Sequence, residues 1–203
     1  MTSHRSSIFL ATRITARIIL PARFQVQIVG LDNLPTKGPA LLIPKHQQWW
    51  DVPLLGTYIP RPLHFLAKQE LFANLFSRFF ISRLGGISID REHPLRSLNT
   101  FRSLHPLLKE NAFLVLFPEG TYYRETMGPG KWRLIQLILR LQQKKALPPI
   151  PFLPLGIRYS SETGGKKIKV EISIGPALFE TSPLQAEAFT QELLSQVKAL
   201  SRL

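Results

Sequence analysis

Two hydrophobic rhythms alternate along the chain. Ala40–Pro44, Ala112–Phe117 and Ile150–Ile157 are continuous apolar runs of strand length, the pattern of strands buried on both faces. Phe24–Val29, Leu63–Ala67 and Ile87–Ile89 read as shorter strands. Lys169–Ile174 alternates and is joined to the strand before it by a Thr163-Gly164-Gly165 turn, which predicts a hairpin. Between the strands the spacing turns helical. Residues 69–83 place Leu71, Phe72, Leu75, Phe76, Phe79 and Phe80 at that spacing. Residues 131–145 do the same with Leu134, Ile135, Ile138 and Leu141. Residues 94–110 and 183–201 complete the predicted helices. Strands alternating with helices predict an α/β fold: one domain with a largely parallel or mixed sheet, helices on both its faces, and an N-terminal amphipathic helix.

That N-terminal helix gathers Ile8, Leu10, Ala11, Ile14, Ile18 and Ile19 on one arc, with Arg5, Arg13 and Arg17 opposite. A basic amphipathic helix can lie in a membrane interface, or it can pack on the domain's own core. The division follows: residues 1–23 as a membrane-associating helix and residues 24–203 as the main domain. The apolar face from Leu71 to Phe80 allows the same two readings. No uncharged apolar stretch reaches the ~18 residues of a spanning helix. Arginines within the first apolar pattern, and no small-residue cleavage site after it, argue against a secretory signal.

Charge narrows the partners. Lys and Arg number 26 against 13 acidic residues, a formal net charge of +13. Such a balance attracts nucleic acid, anionic membrane, or phosphorylated and CoA-type substrates. The basic residues are scattered, which disfavours nucleic acid. There is no cysteine, hence no disulfide framework and no thiol nucleophile. No Asp, Glu and His cluster falls at ligand spacing, so no metal is expected.

The stretch with chemical promise is Lys45-His46-Gln47-Gln48-Trp49-Trp50-Asp51, between the Ala40–Pro44 strand and a helix that Pro53 would start. On a regular helix, residues five apart point about 140° away from each other. His46 and Asp51 therefore meet only if the histidine sits on the incoming loop and the aspartate at the helix start. There a carboxylate can hold one imidazole nitrogen and leave the other to take a proton. Asp51 also fits an ordinary helix N-cap, and His46 an ordinary strand-end residue. A second stretch, Phe117-Pro118-Glu119-Gly120-Thr121, follows the next buried strand.

With these blocks in view the chain resembles the glycerolipid acyltransferases, the family of the lysophosphatidate acyltransferases, from about Phe24 to the last helix. His46 and Asp51 match the family's His, four residues, Asp signature. Lys68, Leu71, Gly85 and Asp90-Arg91 are similar to its second block, and Phe117–Thr121 to its third. Ile150-Pro151-Phe152-Leu153-Pro154-Leu155 is similar to its fourth. The chain departs from the pattern at three positions. Lys45 stands where Asn usually precedes the His, Gln48 where Ser is frequent, and Tyr122 where an Arg normally follows Gly-Thr.

The resemblance implies acyl transfer from a thioester, acyl-CoA or acyl-carrier protein, to the free hydroxyl of lysophosphatidate at the cytoplasmic membrane face. The protein would be peripheral or monotopic there and need no cofactor beyond the acyl donor. It implies His46 as general base and Asp51 as the carboxylate that fixes its tautomer. With no Cys, and no Ser in the two motif blocks, direct transfer without an acyl-enzyme is the natural scheme. Arg91 is the preferred phosphate ligand because Arg binds phosphate bidentately. Lys68, Arg124 and Lys131 assist. Gly120 lets backbone N–H groups approach an anion, with Thr121 beside it, and Glu119 orients the acceptor or a basic residue. Another lyso-lipid or glycolipid acceptor remains the alternative that Tyr122 keeps open. The rival from a different class is a non-catalytic basic protein that binds membranes or nucleic acid.

Overall fold

The computed structural model describes residues 15–75, 78, 81–82, 85–90, 98–161 and 167–203. Seven strands form one sheet: β1 Phe24–Val29, β2 Ala40–Pro44, β3 Leu63–Lys68, β4 Gly86–Ile89, β5 Phe113–Val115, β6 Phe152–Ser161 and β7 Ile168–Ile174. Their order across the sheet is β1-β7-β6-β2-β5-β3-β4. Five of them, β6, β2, β5, β3 and β4, run parallel. The predicted hairpin is present as antiparallel pairing of β6 with β7, and β1 adds a parallel edge strand to β7. The turn residues Thr163–Gly165 lie outside the described residues.

Apart from helical residues at 75, 78 and 81–82, the helices among the described residues are α1 over 15–23, α2 Asp51–Tyr58, α3 Leu98–Lys109, α4 Trp132–Lys144 and α5 Ala186–Ser201. They cover both faces of the sheet, as the continuous apolar strands require. Along β2 the odd-numbered Leu41 and Ile43 join the core under α3, α4 and α5, while Ala40 and Leu42 join the core under α1 and α2. Along β5 and the two residues after it, the same alternation sends Leu114 and Leu116 one way and Val115 and Phe117 the other. Leu42 is fully buried, and its truncation to Ala should cost about 2–5 kcal/mol.

Two expectations change at their boundaries. The helix expected from residue 69 begins instead with a 3₁₀ turn, Gln69–Phe72, before helical residues at 75, 78 and 81–82. Leu71 and Leu75 are exposed there, so on those two positions the face is not core. The last helix likewise opens on a 3₁₀ turn, Pro183–Gln185, whose first amides Ser182 caps by accepting from Leu184 N. Of the N-terminal helix, residues 15–23 are described; Leu20 is buried while Ile18 and Ile19 face outward. Among the described residues no helix is long and apolar enough to cross a membrane.

Parallel β2, β5 and β6 end at the same edge of the sheet, the edge where open α/β sheets place their ligand crevices. Leu155 pairs with Pro44, so β6 runs on past the end of β2 alongside the loop that follows it. α5 holds β6 closely: a Cβ on Gly156 would sit 2.3 Å from the Leu200 carbonyl carbon.

Candidate active site

His46 lies on the loop after β2 and Asp51 is the first residue of α2, the arrangement in which the two can meet. His46 Nδ1 is 2.9 Å from Asp51 Oδ2. The carboxylate is fully buried and the imidazole is 12% exposed. With Nδ1–H donating to the carboxylate, Nε2 is left as the acceptor, the tautomer a general base needs.

Asp51 does not act as a helix cap. Its carboxylate turns back along the chain, and Oδ2 accepts from Gln47 N at 2.7 Å and Gln48 N at 2.9 Å. The loop is thus wrapped around the carboxylate, and the residue preceding α2, Trp50, makes no side-chain cap. The other oxygen, Oδ1, accepts from the Tyr159 hydroxyl at 2.6 Å, a donor delivered by β6 from 108 residues away.

The Phe117–Thr121 stretch comes down beside this loop because β5 is the neighbour of β2. Phe117 stacks on the imidazole with ring centroids 3.8 Å apart. Tyr122 tilts against it at 4.3 Å, in the position of the expected Arg. Burial, with the Asp51 charge adding, pushes the Tyr122 hydroxyl above its ordinary range. Glu119 is buried and its Oε2 accepts from the backbone N–H of His46 at 3.1 Å. In return His46 O accepts from Tyr123 N at 3.0 Å.

Beneath the histidine lies the residue that departs from the family pattern. Lys45 is fully buried, and its Nζ is 2.8 Å from both oxygens of Glu119. It also donates to Tyr123 O at 2.6 Å and His46 O at 3.3 Å. Glu119 Oε1 takes a further donor, Gly128 N at 2.9 Å. Glu119 therefore orients a basic residue, one of the two roles expected of it. Gln47 ties the loop to its other neighbours: its side chain donates to Ile157 O and accepts from Glu125 N.

Gly120 adopts φ 74°, the left-handed region where glycine is favoured, so the chain can turn sharply after Glu119. A Cβ there would sit 2.9 Å from Lys131 Cε, so the glycine seats the Lys131 stem against the turn. Lys131 N donates to Pro118 O at 2.8 Å, holding its backbone to the same stretch. Thr121 and Arg124 are exposed on the loop that follows. Lys68 ends β3, at the same edge of the sheet but two strands away from β2. Arg91 lies outside the described residues. The structure thus brings His46, Asp51, Glu119, Gly120 and Lys131 onto adjoining loops, and supports them with Lys45, Gln47 and Tyr159, which sequence reasoning passed over.

An imidazole oriented by a buried carboxylate at the carboxyl edge of an α/β sheet suits taking the proton of an alcohol that attacks an acyl carbonyl. The acyltransferase family model matches residues 25–158, and the chain belongs to that family. A 1-acyl-sn-glycerol-3-phosphate acyltransferase of Bacillus subtilis is 29% identical over 195 residues, covering 91% of this chain and 92% of that one. One of Pseudomonas aeruginosa is 27% identical over 199 residues, covering 92% and 74%. A lyso-ornithine lipid O-acyltransferase of Pseudomonas aeruginosa is 33% identical over a shorter span, 52% of this chain and 39% of its own. The crystal structure of the 1-acyl-sn-glycerophosphate acyltransferase from Thermotoga maritima shares the fold, with a TM-score of 0.63 at 20% identity over 96% of this chain and 81% of that one.

Proposed function

We propose that this chain transfers a fatty acyl group from an acyl thioester to the free hydroxyl of lysophosphatidate, giving phosphatidate. The observation that carries the reading is the His46–Asp51 pair, 2.9 Å apart, at the mouth of a sheet whose full-length relatives are named for that reaction. The acceptor hydroxyl oxygen attacks the thioester carbonyl carbon while His46 Nε2 takes the hydroxyl proton. The tetrahedral oxyanion collapses, the C–S bond breaks, and the imidazolium returns its proton to the departing thiolate. Proton transfer of this kind contributes about 10²–10⁴-fold. Lys131, Arg124, Lys68 and Arg91 supply cations for the phosphate. Acyl-CoA and acyl-carrier protein both fit as donors, since each presents the same kind of thioester.

The reaction would take place on an anionic membrane surface at its cytoplasmic face, with the protein bound peripherally. Supporting this are the net charge of +13 and the outward Ile18 and Ile19, 73% and 60% exposed. Trp49, 57% exposed, stacks on Trp50 three residues past the histidine and puts an interface-seeking ring beside the site. Tyr122 beside His46, together with the lyso-ornithine lipid relative, favours a different lyso-lipid head group as the second reading. Purified protein in mixed micelles, offered a panel of lyso-lipids with labelled acyl-CoA or acyl-carrier protein, tests both. Labelled phosphatidate as the main product supports the first reading. Faster labelling of a phosphate-free lyso-lipid transfers support to the second, and no labelled product from any acceptor rejects both.

A further inference from the structure

The buried Asp51 carboxylate has its donors unevenly divided. Oδ2 receives three, from His46 Nδ1, Gln47 N and Gln48 N, all supplied by its own loop. Oδ1 receives the Tyr159 hydroxyl at 2.6 Å. A fully buried carboxylate left without that donor loses the bond that fixes its plane and concentrates its charge on Oδ2, the oxygen that holds the imidazole. Tyr159 stands on a rigid element: its backbone pairs with Val170 in the antiparallel hairpin, and its ring meets Phe24 edge-on at 6.5 Å.

We propose that Tyr159 is a positioning residue for the His46 base, its hydroxyl fixing the plane and sharing the charge of the Asp51 carboxylate. The inference rests on the acyl-transfer reading and deepens it. Burial first, then the Asp51 charge and hydrogen bond, push the Tyr159 hydroxyl far above its ordinary range, so it stays a donor at any working pH. A phenol that draws charge from the carboxylate weakens the hold of Asp51 on the imidazolium. Removing it should therefore strengthen that hold, so that the imidazole keeps its proton to higher pH. The other groups facing His46 are the Tyr122 phenol at its ring and the Lys45–Glu119 pair at its backbone, and the substitution leaves each of these in place.

The test compares full-length wild type with Tyr159→Phe in mixed micelles, by steady-state kinetics across pH and by an NMR titration of the His46 ring. The expected result is a kcat lower by roughly 5- to 10-fold, as for loss of one hydrogen bond acting in the transition state, with acceptor KM within about twofold. The acid limb of kcat and the NMR midpoint should both move to higher pH. A purely structural role would alter melting temperature and leave both midpoints in place. Unchanged kcat and midpoints overturn the proposal. Should Tyr159→Phe fail to fold, 3-fluorotyrosine at position 159 keeps the packing and strengthens the donor, so the midpoints should move to lower pH; no movement overturns the proposal. The NMR titration needs no turnover. A wild type inactive on every acceptor therefore rejects the function reading and still leaves the Tyr159 inference decided by the midpoints.

Discussion

Lys45 Nζ lies 2.8 Å from each carboxylate oxygen of Glu119, and neither side chain reaches solvent. The pair joins two loops 74 residues apart in the chain: one carries His46, the other the Gly120 turn. Each partner also bonds the backbone of the opposite loop, Lys45 through Tyr123 O and Glu119 through His46 N. It is a fixture for the geometry of the base rather than a source of net stability, since burying two charges costs about what their attraction returns.

Removing one partner is another matter. Lys45→Met leaves a buried, unpaired carboxylate and should cost about 3–5 kcal/mol. Adding Glu119→Gln removes the second charge while keeping an oxygen for the His46 amide, and should recover more than half of the loss. Urea unfolding of the single and double variants checks this, and a Lys45→Met protein as stable as wild type would contradict it.

Gly120→Ala should cost about 1–2 kcal/mol for a left-handed non-glycine residue. It should also displace the Lys131 stem, whose Cε a new Cβ would approach to 2.9 Å. With Lys131 serving the acceptor's phosphate, acceptor KM rises severalfold while donor KM holds. Kinetics with each substrate varied in turn read the difference, and equal effects on both would remove Lys131 from acceptor binding.

Ile18→Ser with Ile19→Ser takes two outward apolar side chains from α1 without touching the buried Leu20. Co-flotation with vesicles containing anionic lipid should fall severalfold, and salt should weaken what remains, since basic residues contribute about 1 kcal/mol each near such a surface. Equal flotation of variant and wild type would place the membrane contact elsewhere.

Much of this architecture could be read ahead of the structure because it is written locally. Ala40–Pro44 and its neighbours are unbroken apolar runs, and only strands buried on both faces tolerate that pattern. For His46 and Asp51, helix geometry left the junction of loop and helix as the one place where they could meet, with helix capping as the competing reading, and the structure has the meeting. The partners of those residues were not legible, because they arrive from distant strands. Tyr159 reaches Asp51 only because β6 pairs with β2 and overruns its end. Lys45 gave one signal, a charged residue where the family places Asn, at the end of an apolar strand with no partner nearby in sequence. A cation in that position needs a buried anion, and the structure supplies it from the next motif as Glu119. Local spacing likewise could not tell that residues 69–72 would tighten into a 3₁₀ turn with Leu71 exposed.

The Tyr159 hydroxyl also carries a stability signature. Its folded-state pKa is raised above the ordinary value of 10.0, by burial first and then by Asp51. Above that pH the unfolded chain releases this proton and the folded chain keeps it, so the folded state binds more protons and stability falls as pH rises. The contribution is complete below about pH 10 and is lost on going above it. Tyr159→Phe should therefore lose less stability than wild type between pH 9 and 11. Urea midpoints at those two pH values show it, and parallel losses would contradict the buried donor.

The central claim is that His46, held by Asp51, is the base. The most direct measurement is kcat together with melting temperature for His46→Ala and Asp51→Asn. The account predicts a fall in kcat of about 10²-fold or more in both, because the lost effect lies in the transition state and an amide offers the imidazole the wrong partner. His46→Ala should keep a melting temperature close to wild type. A helix-capping role for Asp51 would leave Asp51→Asn nearly harmless. A well-folded His46→Ala protein with near-normal kcat would contradict the account outright.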